Sequence, residues 1–335
     1  MENSIMSYHK ISPFGYLVSV RIMLFICLTA VSVFGACKTP HLSSADKHPV
    51  VEKTDSFKLY QLNYDLQRPD ITFELEDELN EISGLSMDAS EQYLWAVQDE
   101  AGIIYKLSVK DGSIIEKFPF WKDGDYEGIT RVGNEFYIAK NTGTLYRVSH
   151  LGEPNQAVEK YNTFLSAKNN IEGLTFDVGH NRLLLACKGS PGIDGEEMNK
   201  ERAVYAFNLD TMGLAYEPVL LVSLNAVREF MAAFPDLDQI EKLLEYFPPG
   251  ELEVFEFSPS GISIQPLTGE IFILSSSKKL LIILSAEGRI LYIEKLKKSI
   301  HPQPEGICFS SDGTMYLSSE GKEGKARIHK FSVKH

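Results

Sequence analysis

The sequence predicts an all-β fold, a single five-bladed β-propeller with four antiparallel strands in each blade. Three observations indicate it: a short glycine motif recurs at a nearly constant interval, each copy begins the same order of strand-like runs, and the last copy ends one strand short of a blade. A six-bladed propeller is the alternative. A β-sandwich is disfavoured because sandwiches have no fixed period of about 45 residues.

The repeated motif is a glycine that follows Ser or Glu at the start of an apolar run. Its five copies are ISGLSMD, YEGITRV, IEGLTFD, PSGISIQ and PEGICFS, with glycines at Gly84, Gly128, Gly173, Gly261 and Gly306. The successive spacings are 44, 45, 88 and 45 residues. The interval of 88 contains one set of four strand-like runs and two insertions, at 189–201 and 225–250. We therefore expect five blades rather than six.

The insertion at about 225–250 predicts a helical segment within the β-domain. Its apolar residues follow helical spacing, Asn225 occupies a cap position, and the run Pro248 to Gly250 stops the pattern. The ring itself is expected to close through the N-terminal part of the domain. The run DITFELED, Asp70 to Asp77, lies one strand before the first copy and should supply the missing fourth strand of the last blade, which leaves the ring without a free edge.

The first 37 residues resemble a lipoprotein-type signal segment. Lys10 and Arg21 precede an apolar run, 22–36, which is short for a membrane span, and the run ends in FGAC with Cys37 as the expected lipidation site. An uncleaved membrane anchor is the alternative. Residues 38–57 are polar and predict a flexible tether to a propeller domain at 58–335. We therefore expect an exported protein, anchored in the cell membrane or outer membrane.

The charge balance disfavours nucleic acid as a partner. The chain has 33 Lys and Arg against 46 Asp and Glu, a formal charge of -13, whereas phosphate surfaces require clustered basic residues. Small molecules, cations or a protein ligand fit better, and we expect a monomer. Cys187 and Cys308 lie in separate apolar runs and are expected to be buried free thiols.

Propeller geometry predicts one polar mouth for the central channel. The first strand of each blade lines the channel, and it begins at the face where the second strand ends. The glycine permits close backbone approach where the five strands converge. The residues expected at this mouth are Ser83, Asp99, Glu100, Glu127, Lys140, Glu172, Lys188, Ser260, His301, Glu305 and Glu320.

Three glutamates of the mouth suggest a metal site. Glu127, Glu172 and Glu305 precede ring glycines, and carboxylates that converge must be compensated by a cation, by proton uptake or by hydrogen-bond donors. Ligands that are all oxygen favour Ca²⁺ over zinc or copper. In the structural alternative, each glutamate accepts backbone N–H groups of the neighbouring blade. No catalytic residue is identified, since the common hydrolase, nucleotide and zinc motifs are absent from the sequence.

The ordered set NEISGLSMD, LWAVQDEAGIIYKL, DYEGITRV, NIEGLTFD and PEGICFSSDGTMYLSSEG resembles the SdiA-regulated family of bacterial β-propellers, over roughly Tyr60 to Val333. The resemblance implies an exported or membrane-associated protein. The family is named for control by a quorum-sensing regulator and not for an activity. More distant propeller relatives include calcium-dependent phytases, lactonase-type hydrolases and NHL-repeat binding modules.

Two functions follow as hypotheses. The first is a lipid-anchored binding or interaction module, with a divalent cation at the channel mouth. The second is a calcium-dependent hydrolase of phosphoesters or lactones, with His301 or a ring glutamate as the base. The first is favoured because a catalytic calcium needs positions open to substrate, and hence more Asp, Asn and His ligands than this mouth supplies.

Overall fold

The computed structural model describes residues 60–193, 196, 198–252, 254–322 and 324–334. The predicted signal segment, Cys37 and the predicted tether lie outside the described residues. In the described part of the chain, no helix is both long enough and apolar enough to span a membrane.

Five antiparallel sheets form the described domain. The strands in chain order are β1 (Ile71–Glu74), β2 (Ile82–Met87), β3 (Tyr93–Gln98), β4 (Ile103–Ser108), β5 (Ile114–Pro119), β6 (Tyr126–Val132), β7 (Glu135–Lys140), β8 (Thr144–Ser149), β9 (Ala157–Asn162), β10 (Ile171–Asp177), β11 (Arg182–Cys187), β12 (Glu201–Asn208), β13 (Gly213–Leu214), β14 (Leu220–Ser223), β15 (Pro259–Ile264), β16 (Ile271–Ser275), β17 (Leu280–Leu284), β18 (Ile290–Lys295), β19 (Pro304–Phe309), β20 (Met315–Ser319) and β21 (Arg327–Phe331). The helices are two 3-10 turns, Asp77–Leu79 and Val178–His180, and the α-helices α1 (Leu224–Ala233) and α2 (Ile240–Tyr246).

The sheets confirm five blades, and the alternative of six is wrong. Blades one, two and four are the consecutive sets β2 to β5, β6 to β9 and β15 to β18. In blade three, β10, β11 and β12 follow in order, and the place of the fourth strand is shared by β13 and β14, which both pair with β12. The innermost strands β2, β6, β10, β15 and β19 contact one another in sequence around the ring.

The predicted closure of the ring is also confirmed. Strand β1 pairs antiparallel with β21 as the fourth strand of blade five, with Ile71 opposite Lys330 and Glu74 opposite Arg327. Phe73 and Leu75 are 3% and 1% exposed and belong to the core shared by blades one and five. The first and last strands of the domain therefore belong to one sheet.

Burial explains the different sequence patterns of inner and outer strands. Every residue of β16 and β17, IFILS and LLIIL, is buried because neighbouring blades cover both faces of these strands. The outer strands β5 and β9 mix polar and apolar residues and are largely exposed or half-buried. A continuous apolar run therefore indicates an inner strand in this fold.

The helical insertion packs against blades three and four. Val227 and Phe230 of α1 and Leu243 of α2 belong to one apolar cluster with residues of those blades, such as Leu184 and Ile273. The predicted cap at Asn225 is wrong. The Ser223 side chain accepts a hydrogen bond from the Ala226 N–H at 3.0 Å, so the helix begins two residues earlier, directly after β14.

Candidate functional site at the channel mouth

The five repeat glycines lie where each inner strand meets the next blade. A Cβ placed on Gly84 would lie 2.6 Å from the Ile129 nitrogen, and one on Gly261 would lie 2.2 Å from the Glu305 carbonyl oxygen. Each inner strand also has a register shift at this point of its ladder with the second strand. The predicted close backbone approach is thus present, and the residue before the glycine lies in a bulge, which re-aims its side chain.

The structure brings four of the predicted mouth residues together on the axis. Glu127, Glu172, Ser260 and Glu305 line a cavity of ≈ 10 Å³ beside the ring glycines, which has room for about one water molecule. Glu172 and Glu305 are buried, and Glu127 is half-buried. The equivalent residue of blade one, Ser83, is also buried, and its hydroxyl donates to the Glu81 carbonyl oxygen at 3.4 Å.

Lys188 supplies a positive charge inside this ring. Its Nζ lies 3.1 Å from Glu172 Oε1. Burial lowers the pKa of Lys188, but the carboxylates of Glu172, Glu305 and Glu127 outweigh burial and raise it. The ring therefore holds a protonated lysine, although the sequence predicted Lys188 only as one more binding residue.

Two amide side chains donate to the buried glutamates. Asn170 Nδ2 donates to Glu172 Oε1, and Gln303 Nε2 donates to Glu305 Oε1, each at 2.8 Å. The structural alternative expected backbone N–H groups of the neighbouring blade as donors to the glutamates. Among the described residues, side-chain amides are the donors instead.

Burial raises the pKa values of all three ring glutamates, and of Glu127 and Glu305 most. Burial, together with Glu172 and Asp125, raises the pKa of Glu127 to about 10. Burial raises the pKa of Glu172 only to about 7, because Lys188 and Asn170 oppose it. Burial and the charges of Glu320 and Glu172 raise the pKa of Glu305 well above its ordinary value. Because the raised pKa values let the folded state bind more protons than the unfolded chain, these glutamates contribute to the free energy of unfolding. Their contribution is complete at acid pH and is lost as pH rises through the folded pKa values.

A second ring surrounds the first, formed by the residue that directly follows the second strand of each blade. Its members are Asp99, Asn141, Lys188, Ser276 and Glu320. Three of them lie on the adjacent blades five, one and two. Each carries a buried oxygen that has no hydrogen-bond partner among the described residues, and these atoms are Glu320 Oε2, Asp99 Oδ1 and Asn141 Oδ1. Lys322 Nζ lies 3.6 Å from Glu320 Oε2. Burial and the charges of Glu81 and Glu100 raise the pKa of Asp99 to about 6.

The remaining predicted residues differ in position. Glu100 is exposed, and Lys140 is half-buried opposite Tyr126 at the end of β7.

The placement of His301 at the mouth is wrong. Its ring is 0% exposed, its Nε2 donates to the Leu66 carbonyl oxygen at 2.9 Å, and it packs against His329 of β21. Burial lowers the pKa of His301 to about 4, so this imidazole is neutral at neutral pH.

Sequence reasoning missed Asp125, Asn170 and Gln303, which are the immediate neighbours of the ring glutamates. A signal for them exists, because each lies two residues before its glutamate, in DYEG, NIEG and QPEG. Within the described residues, no group of three His, Cys, Asp or Glu side chains is placed to hold a metal ion. Calcium at Glu127, Glu172 and Glu305 stays a prediction.

A family model matches residues 58–201 and 250–322 of the chain, which include all five ring glycines. The chain belongs to the SdiA-regulated family. The family match omits residues 202–249, which contain α1, α2 and the outer strands β13 and β14 of blade three. The channel mouth is thus built on the family's common part, and the helical insertion lies outside it. No curated protein matches the sequence.

Solved structures that align with this chain include three proteins named as enzymes. Glutaminyl cyclase of Myxococcus xanthus aligns at 10% identity over 80% of this chain and 96% of its own, with a TM-score of 0.49. A luciferin-regenerating enzyme aligns at 12% identity over 80% and 97%, with a TM-score of 0.45. A putative gluconolactonase aligns at 13% identity over 77% of each chain, with a TM-score of 0.44. At these identities the similarity concerns the fold alone.

Proposed function

We propose that this member of the SdiA-regulated family is an exported, lipid-anchored binding module whose channel mouth takes a cation. The observation that supports the proposal is the excess of buried acid at the mouth. Glu127, Glu172 and Glu305 face Lys188 as the cation in their ring, a buried oxygen of Asp99 has no hydrogen-bond partner among the described residues, and that of Glu320 has only the Lys322 ammonium at 3.6 Å. Calcium fits the all-oxygen character of these groups.

Cation binding at this mouth competes with protons. Glu127 and Glu305 hold protons at neutral pH because their pKa values are raised. A bound cation favours their ionised forms and releases those protons. Affinity should therefore increase with pH.

Calcium should raise the melting temperature at about pH 8 by about 5 °C when the ion is at a hundredfold excess over its dissociation constant. The shift should be smaller at about pH 5, where protons occupy the same carboxylates. Differential scanning fluorimetry in calcium and in chelator measures both. Glu127→Gln removes one carboxylate and should abolish most of the shift. Glu116→Gln, an exposed carboxylate on β5, should retain it. If calcium leaves the wild-type protein unchanged at both pH values, Lys188 and the bound protons alone compensate the ring, and the cation proposal is wrong.

Anchoring is proposed from the FGAC segment and the apolar run before it. Cys37→Ala should leave the signal segment uncleaved and the protein without lipid, because the thiol is the acylation site. Mass spectrometry of the membrane fraction checks this. A Cys37→Ala protein processed like the wild type contradicts the proposal, whereas Cys27→Ala, inside the apolar run, should be processed normally.

A calcium-dependent hydrolase of phosphoesters or lactones is the second candidate. The observation in its favour is that the pKa of Glu172 is about 7 and that of Asp99 about 6, values suited to proton transfer near neutral pH. Glu172 is already paired with Lys188, which leaves it a weak base. Phosphate release or lactone opening in the calcium-loaded samples described above, lost in Glu172→Gln, would favour this candidate.

A further inference from the structure

The opposite end of the channel opens into a second, larger cavity of ≈ 230 Å³. Leu85, Leu174 and Ile307 line both this cavity and the small acidic one, so an apolar layer lies between the two. The two ends of the channel therefore present different chemistry to solvent. The proposal for the acidic mouth leaves this second cavity without a role.

Hydroxyl groups ring the inner part of the second cavity. The residue two positions after each repeat glycine lines it, and these five residues are Ser86, Thr130, Thr175, Ser263 and Cys308. The repeat therefore produces a second layer of polar side chains at the opposite mouth, with four hydroxyls and one thiol.

Three of these hydroxyls have hydrogen-bonding capacity that the protein leaves unused. Ser86 Oγ accepts the Arg131 N–H at 3.2 Å. Thr130, Thr175 and Ser263 are each less than a tenth exposed, yet within the described residues their hydroxyls bond to no other protein group. These three hydroxyl oxygens are not among the fully buried polar atoms that lack a partner, so they are accessible from the cavity. Three such groups on adjacent blades that face one cavity indicate a ligand with several hydrogen-bonding groups.

The rim of the cavity adds one charge and an apolar surface. Of the described residues that line it, Arg131 alone is charged, and Phe176, Phe309 and Met87 supply aromatic and thioether surface. Arg131 Nη2 donates to Asn134 Oδ1 at 3.2 Å. Burial raises the pKa of Asp88, but the hydrogen bonds from Ser90 and Trp95, together with the charge of Arg131, lower it by more. A planar guanidinium matches a carboxylate. The overall charge of -13 disfavours an anion with several charges.

We propose that this cavity binds a small hydroxylated carboxylate. The carboxylate lies at Arg131, the ligand hydroxyls bond to Thr130, Thr175 and Ser263, and the carbon chain packs against Phe176 and Phe309. The site is independent of the acidic mouth, since the apolar layer separates them.

Calorimetric titration with gluconate tests this proposal. Gluconate should bind with a millimolar or lower dissociation constant, and two matched compounds, sorbitol without the carboxylate and hexanoate without the hydroxyls, should bind at least about tenfold more weakly. Arg131→Gln should weaken gluconate by about tenfold or more. Arg289→Gln, an exposed arginine in the turn between β17 and β18 on the same face, should not.

Thr175→Val separates binding from folding. The valine has nearly the same shape but no hydroxyl, so it should weaken gluconate several-fold while the melting temperature of the free protein stays the same or rises. A clear loss of stability would mean that the hydroxyl is already satisfied within the protein, which contradicts the proposal. Absence of gluconate binding, or binding that Arg131→Gln leaves unchanged, also overturns it, as does loss of gluconate binding in Glu127→Gln at the other mouth.

Discussion

A chain that begins at Asp77 should fail to form a stable monomer. It lacks β1 and the side chains of Phe73 and Leu75, which are buried between blades five and one, and also Tyr64 and Leu66, which are buried between blades four and five. Removal of two such side chains costs about 5 kcal/mol or more, comparable to the whole stability of many domains. It also exposes the edge of β21, which favours aggregation. Size-exclusion chromatography and urea unfolding measure both effects.

Three variants relate this loss to the closing strand. A chain that begins at Tyr60 keeps β1 together with the buried Tyr64 and Leu66, and should fold normally. Phe73→Ala should cost about 3 to 5 kcal/mol, whereas Ile71→Ala at the start of the same strand, where the side chain is 42% exposed, should cost much less. A monomeric Asp77 chain with the melting temperature of the Tyr60 chain contradicts the closure.

Gly261→Ala should destabilise the domain by about 3 kcal/mol or more. The added methyl group would lie 2.2 Å from the Glu305 carbonyl oxygen, and this neighbour is backbone of the next inner strand, which cannot rotate away. The inner strands of blades four and five must therefore separate. Urea unfolding measures the loss.

Gly213→Ala is the matched control for this substitution. The nearest atom to its added methyl group is Thr211 Oγ1 at 3.7 Å, and this glycine lies in the short strand β13. The free energy of unfolding of the Gly213→Ala protein should differ from that of the wild type by no more than about 0.5 kcal/mol. If Gly261→Ala is equally mild, the ring is looser than the contact implies and the glycine is not required there.

The fold could be predicted because its signals are local and repeated. The glycine period, the order of strands and the unassigned strand before the first copy are all properties of the linear sequence. The helix cap was missed because Ser223 and Asn225 are both good cap residues, and the choice depends on where β14 ends. His301 was misplaced because a loop residue can turn toward the axis or into the protein, and only packing against Leu66 and His329 decides.

The mouth was predicted in position but not in chemistry. Alignment of the repeats identifies Glu127, Glu172 and Glu305, since each has the same place in its blade. The pairing of Lys188 with Glu172 depends on how far one flexible side chain reaches between two strands, and proton retention by Glu127 depends on burial. Neither property has a pattern in the sequence. The amide donors do have one, two residues before two of the glutamates.

The closure by β1 brings distant parts of the chain together: the Lys334 N–H donates to the Asn63 carbonyl oxygen at 2.8 Å. Residues 63 and 334 could thus be joined by a short linker, and the polypeptide would then be a covalent circle that matches the circular arrangement of its blades. In such a circle no blade is first or last. New termini placed in any loop between blades would yield a circular permutant with the same set of strand pairs. Which blade comes first along the chain is therefore not a requirement of the fold, whereas the cyclic order of the blades is kept.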